Sequence, residues 1–230
     1  MECIICYDTS PPPIQSGCAC RGDSGLAHIA CLVRAAASQQ AQRGHCLWRQ
    51  CQTCKQDFTG AMRAGLAEAL RSRVAGRAAE STERLAAECN LAMSLVQQGK
   101  AVEAEPMLRR LHEVLMRVHG AEHPYTLTVA TNLATSLSKQ GKYVDAERIE
   151  REVLGVRKRV LGAEHSDTQA SVNNLATTLP DQGKYVDAER IEREVHEVQK
   201  RVLGGRASEH AEECEQPGFV PLRPRQVRRR

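Results

Sequence analysis

Apolar residues along most of this chain recur at steps of three and four, the spacing of one face of an α-helix. Ala146, Ile149, Val153, Val156 and Val160 make one such face, and Ala188, Ile191, Val195, Val198 and Val202 copy it 42 residues later. The copy is literal: Gln140-Gly-Lys-Tyr-Val-Asp-Ala-Glu-Arg-Ile-Glu-Arg-Glu-Val153 recurs unchanged from Gln182 to Val195, and Gly120-Ala-Glu-His123 recurs as Gly162-Ala-Glu-His165. A diverged third copy lies upstream, with Gln98-Gly-Lys100 and Glu103-Ala-Glu105 in register. A fixed period of this length predicts stacked units, each burying its face against the next. Each unit reads as helix, glycine turn, helix. Gly99, Gly141 and Gly183 are expected in the left-handed turn, and Pro180 is expected to shorten the first helix of the last unit. Before the repeats, Met62, Leu66, Leu70 and Val74 step by four and predict one more helix, ended near Gly76, with Ser81 as the next N-cap.

The first 58 residues follow another rule. Cys3/Cys6, Cys18/Cys20, His28/Cys31 and Cys51/Cys54 are four closely spaced pairs, seven Cys and one His in all. Zinc favours four soft or borderline donors in a tetrahedron, and a short spacing lets one loop supply two of them. Eight donors therefore predict two closed structural sites and two Zn2+ ions. So small a module lacks the apolar core to fold by burial, so the metal must supply much of its stability. Of the other cysteines, Cys46, Cys89 and Cys214, Cys46 is expected to be a plain thiol.

Composition narrows the class. The chain is 41% hydrophobic but only 3% aromatic, so its core must be aliphatic, which suits packed helices. A net charge of +4 is no argument for nucleic acid. No stretch approaches the ~18 apolar residues of a membrane span. Metal-spaced cysteines argue for a reducing compartment, hence the cytoplasm. The tail from Gln216 is rich in Pro and Arg and is expected to be disordered; its arginines would suit a nuclear address.

The ligand order and the seven-residue gap between Cys20 and His28 resemble the RING-CH finger. That resemblance implies a cross-brace in which Cys3, Cys6, His28 and Cys31 hold one zinc and Cys18, Cys20, Cys51 and Cys54 the other. It also implies ubiquitin-ligase activity, with Ile5 forming part of the groove for a ubiquitin-conjugating enzyme. The Trp that this family carries in the helix after the sixth ligand is missing from Leu32-Val-Arg-Ala-Ala36; Trp48, the only Trp, is the candidate substitute. A PHD-like histone reader shares the ligand order. The repeats, with Asn132-Leu-Ala134, Gln140-Gly-Lys-Tyr143 and Gly162-Ala-Glu-His165, resemble the 42-residue tetratricopeptide repeat (TPR) of kinesin light chains. This implies a peptide or protein ligand on a concave face, with Asn132, Asn174 and Lys139 as candidate contacts. Glu150 and Glu192 stand where that family usually has an aromatic residue or Leu. His123 and His165 recur between helices and are expected as turn or capping residues.

No nucleophile, base and acid come together in the sequence. The paired carboxylates Glu150, Glu152 and Glu192, Glu194 lie among Arg at helical spacing and are expected to form surface ion pairs. The organisation expected is a zinc finger over 1–58, a coupling helix and linker over 59–80, an all-α TPR solenoid of three units over 81–205, and a basic tail over 206–230. The function expected is a ubiquitin ligase that selects substrate through its repeats; the alternative is a scaffold with a structural zinc module.

Overall fold

The computed structural model describes residues 2–15, 17, 18, 20, 25–194, 196 and 200. They divide into two compact units, with the boundary in sequence between Val156 and Arg157. The first unit opens with a two-stranded antiparallel ribbon, β1 (Ile14–Gln15) and β2 (Leu26–Ala27), that pairs Ile14 with Ala27 and Gln15 with Leu26. Helix α1 (Ile29–Arg43) stops at Gly44, where φ is 66°. A 3-10 turn follows over Gly44–Trp48, and a bridge between Gln50 and Asp57 closes the loop that carries the last Cys pair. Helix α2 spans Gly60–Val74. Its four-residue stripe of Met62, Leu66, Leu70 and Val74 is buried, because a step of four keeps a side chain within about 40° of the last.

Helix α2 is more than a tether. Its stripe joins Ala27, Ala36, Leu47, Trp48 and Phe58 of the N-terminal module to Ala87 of α3 (Thr82–Gln97) in one continuous core. It packs along α3 as closely as α4 (Ala101–His119) does. Thus α2 takes the place that the second helix of a preceding repeat would fill. Ser81 caps α3, its Oγ accepting the Arg84 N–H at 3.4 Å. Helices α3 and α4 form the first repeat; α5 (Pro124–Lys139) and α6 (Tyr143–Leu161) form the second. Their shared core is aliphatic: Leu85, Leu108, Leu111, Leu115, Leu133, Leu137, Ile149 and Val153. Ala92, Ala104, Ala134 and Ala146 are fully buried, and their small side chains let the helices approach.

The second unit holds the end of α6, α7 (Ser166–Thr178), a 3-10 turn over Pro180–Gln182, and α8, helical over 185–194. Helix α7 has 13 residues where α3 and α5 have 16. Pro180 accounts for the difference, since it cannot donate the backbone bond that would extend the helix. Arg157 is buried here, its Nη1 donating to the Asp167 carbonyl at 3.1 Å and to Ser171 Oγ at 2.6 Å. The basic tail expected over 206–230 lies outside the described residues.

The same turn recurs three times. Gly99, Gly141 and Gly183 have φ of 79°, 77° and 75°. The next residue, Lys100, Lys142 or Lys184, donates its N–H to the carbonyl of Leu95, Leu137 or Leu179 at 2.9–3.1 Å. A Cβ at Gly141 would meet open space, so a side chain there is penalised by backbone strain and not by a clash. Gly141→Val is expected to cost about 1–3 kcal/mol. Thermal denaturation checks this, and an unchanged midpoint would contradict it. His123 and His165 are N-caps: their Nδ1 atoms accept the N–H of Tyr125 at 3.2 Å and of Asp167 at 3.1 Å.

Charged residues of the repeats divide in two. Arg148 pairs with Glu152 at 3.1 Å and Arg190 with Glu194 at 3.9 Å, at helical spacing on the surface. Glu150, expected on the surface as well, is buried instead, because its side of α6 is the packed one. Glu105 is held by Lys142 at 2.7 Å and Arg109 at 2.8 Å. The Lys142 bond, opposed by burial and helped by Arg109 and Gln140, lowers its carboxyl to about 2. Its stabilisation is therefore complete above the ordinary Glu value of about 4.3 and is lost as pH falls toward 2. Glu105→Gln should flatten the fall in melting temperature over that interval; identical pH profiles would contradict it.

Candidate metal centres and an apolar groove

The eight donors converge into two groups: Cys3, Cys6, His28 and Cys31 in one, and Cys18, Cys20, Cys51 and Cys54 in the other. Within each, all donor atoms lie within 4.8 Å of one another. His28 Nδ1 is 3.3 Å from Cys6 Sγ and 3.7 Å from Cys31 Sγ, and Cys20 Sγ is 3.7 Å from Cys51 Sγ. Zinc bonds of about 2.3 Å to sulfur and about 2.0–2.1 Å to nitrogen give a tetrahedron with edges of roughly 3.5–3.8 Å. Both groups could hold a metal ion, and their donors are consistent with zinc. The pairs are used alternately, first with third and second with fourth, so the two groups interlock along the chain.

The surroundings prepare these donors. His28 Nε2 faces the Pro11 carbonyl, which can only accept; the proton therefore sits on Nε2 and the Nδ1 lone pair is turned to the cluster. Cys3 Sγ accepts the His28 backbone N–H at 3.4 Å, and Cys31 Sγ accepts from Arg34 Nη2 at 3.4 Å. With a metal bound, the Arg34 charge would offset part of the negative charge of the three thiolates. The two C-x-x-C loops share one turn. Tyr7 and Lys55, each just after the second Cys, both have φ of 61°. Each donates its N–H to the carbonyl of the first Cys, Cys3 or Cys51, at 2.9 Å. Non-glycine residues hold this conformation only where their surroundings over-determine it. Its use in both loops points to a constraint common to the two clusters.

Crowding separates the thiols. Burial raises Cys3, but the backbone N–H groups of Cys6, His28 and Ile5 outweigh it and bring it down to about 6. The Asp8 backbone favours the Cys6 thiolate, yet burial and the Cys31 and Cys3 thiols push Cys6 up to about 11. Cys18 and Cys51 push Cys20 up to about 12. A metal ion binding here must displace the protons those thiols hold at neutral pH.

The second loop is anchored on α2. Asp57 accepts from Arg63 Nη1 at 3.1 Å and lies 3.5 Å from Arg49 Nε. Arg63 is almost fully buried, and burial lowers its pKa. Thr59 Oγ1 donates to the Gly17 carbonyl at 3.0 Å, tying the start of α2 to the Cys18 loop.

Ile5 is 39% exposed and lines an apolar groove of about 190 Å³ with Ile4, Leu32, Leu47 and Phe58. The groove runs between the Cys3 loop, α1 and the Cys51 loop. Trp48, expected as a partner contact, lies instead in the core at 1% exposure, its Nε1 donating to Gln40 Oε1 at 3.2 Å. The 3-10 turn rotates its ring inward, so it cannot be a surface element. Leu32, Leu47 and Phe58 were missed in the sequence, because nothing local marks a groove built from three separated segments.

In the repeats, Asn132 is partly buried and donates from Nδ2 to Cys89 Sγ of α3 at 3.4 Å, linking two first helices. Lys139 is exposed in the last turn of α5. Asn174 is partly buried on α7 in the second unit.

The fold and the clusters define a class: a helical-repeat protein with a Cys/His-rich N-terminal module whose two donor groups could hold metal ions. Family models described as tetratricopeptide repeat match residues 83–159 and 168–212, and the chain is a tetratricopeptide-repeat protein. The matches include no RING-CH family, and no curated protein matches the chain. Among solved structures, it is similar to a protein assigned as a kinesin light chain from Podosopora anserina, with nearly identical TPR-like repeats. That match has 21% identity and a TM-score of 0.56 and covers 75% of each chain. It is also similar to BtubC (BKLC) from P. vanneervenii, with 19% identity, a TM-score of 0.51, and coverage of 87% of this chain and 84% of that one. At these identities the likeness is one of fold. No helix among the described residues is long and apolar enough to cross a membrane.

Proposed function

We propose that this chain is a ubiquitin-protein ligase whose N-terminal module, closed by two zinc ions, docks a ubiquitin-conjugating enzyme while its repeats hold the substrate. The observation that carries the reading is the groove beside Ile5, an apolar recess flanked by residues of both donor groups. An exposed apolar surface on so small a body suits a protein partner. The zinc ions would act as cross-links only: four protein donors fill each tetrahedron and leave no position for substrate or water. No side chain here forms a covalent intermediate in this scheme. The module would hold the charged enzyme, and the substrate Lys would attack the thioester. Asn132, Lys139 and Asn174 are proposed as substrate contacts, and the cytoplasm, with the nucleus as a second site, as the location.

The second reading is a protein-interaction scaffold with a structural metal module. Burial of Trp48 favours it, because the groove then lacks the Trp that RING-CH resemblance would place there.

Autoubiquitination with a panel of conjugating enzymes separates the two. Ile5→Ala should lower transfer by an amount equivalent to about 1–2 kcal/mol of partner binding, with metal content and circular dichroism unchanged. Loss of metal together with activity would make Ile5 a core residue. Failure of the wild-type protein with every enzyme would establish the scaffold reading.

A further inference from the structure

A cleft of about 330 Å³ opens where α2, α3 and α4 meet. Val74 of α2, Ala87 of α3 and Met107 of α4 give it an apolar floor, and Arg71, Arg84 and Arg110 stand around it with one carboxylate, Glu88. Glu88 is taken up by Arg84 at 3.4 Å. Arg71 has only an outward contact with Glu68 at 3.9 Å, and both side chains are more than half exposed. Arg110 has no ion-pair partner among the described residues. The cleft thus presents two guanidinium groups whose charge is not internally met, above a floor that water wets poorly.

We infer that this cleft is a docking site for an acidic peptide segment, in which a carboxylate side chain sits between Arg71 and Arg110 and a neighbouring aliphatic side chain lies against Met107 and the edge of Val74. Guanidinium groups recognise carboxylates through paired donors, and an incoming carboxylate completes the charge balance that Glu88 leaves short. The site is separate from the face carrying Asn132. Asn90, at the same repeat position as Asn132, lies roughly a third of a turn around α3 from the cleft residues. It is also separate from the Ile5 groove and independent of the ligase reading. Because α2 forms one wall, the site belongs neither to the repeats nor to the metal module but arises from their fusion.

The test uses the full-length, metal-loaded chain and a fluorescein-labelled peptide, Gly-Glu-Glu-Leu-Asp-Glu-Leu-Gly amide, followed by anisotropy at low ionic strength. Saturable binding is expected, weakened by added salt. The double variant Arg71→Glu/Arg110→Glu should weaken it at least about tenfold, as should Gln in place of each acidic residue of the peptide. Lys139→Glu should leave it unchanged. Both arginines are exposed, so the double variant should keep the wild-type melting temperature, and its level of autoubiquitination, whatever that is in the wild type, should not change. Absence of saturable binding, wild-type affinity in the double variant, or loss of binding with Lys139→Glu alone would each overturn the assignment.

Discussion

Chelation is expected to release two metal ions per chain and to disturb the protein well beyond the donors. Structural zinc in small peptides is bound with about 10–16 kcal/mol at neutral pH, which matches or exceeds the about 5–15 kcal/mol stability of a whole domain. Without metal, the crowded thiols must be protonated or repel one another, and the loops that set Ala27, Leu47, Trp48 and Phe58 against α2 lose their ties. Leu66 and Leu70 then face water, and α2 loses one of its two partners. Circular dichroism should therefore lose the signal of α1 and α2, while the helices from α4 onward persist. Elemental analysis should find two ions before chelation, and Cys51→Ser should remove one. Fewer than two ions in freshly purified protein would contradict the two-site geometry. Retention of the full helical signal after chelation would contradict the shared core.

Leu70→Ala is expected to cost about 2–5 kcal/mol, the range for emptying a fully buried leucine site. The informative part is where the loss appears. Leu70 belongs to the core that reaches from Trp48 to Ala87, so its truncation should lower the melting temperature and also speed metal release to a chelator. Leu108→Ala, in the separate core of the repeats, should destabilise to a similar degree without changing metal release. Equal metal-release rates in wild type and Leu70→Ala would mean that α2 is coupled to the repeats alone.

Much of this molecule is written in short-range pattern. The literal repeat of Gln140–Val153, the glycines at the three turns, Ser81 at a helix start and Pro180 at a helix end act through backbone geometry within a few residues, so the sequence by itself determined where helices begin, turn and stop. The grouping of eight Cys and His residues that could hold metal is equally legible, since metal chemistry restricts both residue type and spacing. What only the tertiary structure decided concerns side chains whose surroundings arrive from distant segments. Trp48 lies in the core because the 3-10 turn brings it against α1. Glu150 is buried because its side of α6 is the packed one. The stripe on α2 predicted a buried face, but not that this face would serve the N-terminal module and α3 together. The Ile5 groove draws on three segments and the arginine cleft on three helices. Burial and charge balance at such places are sums over long-range neighbours, and no local spacing encodes them.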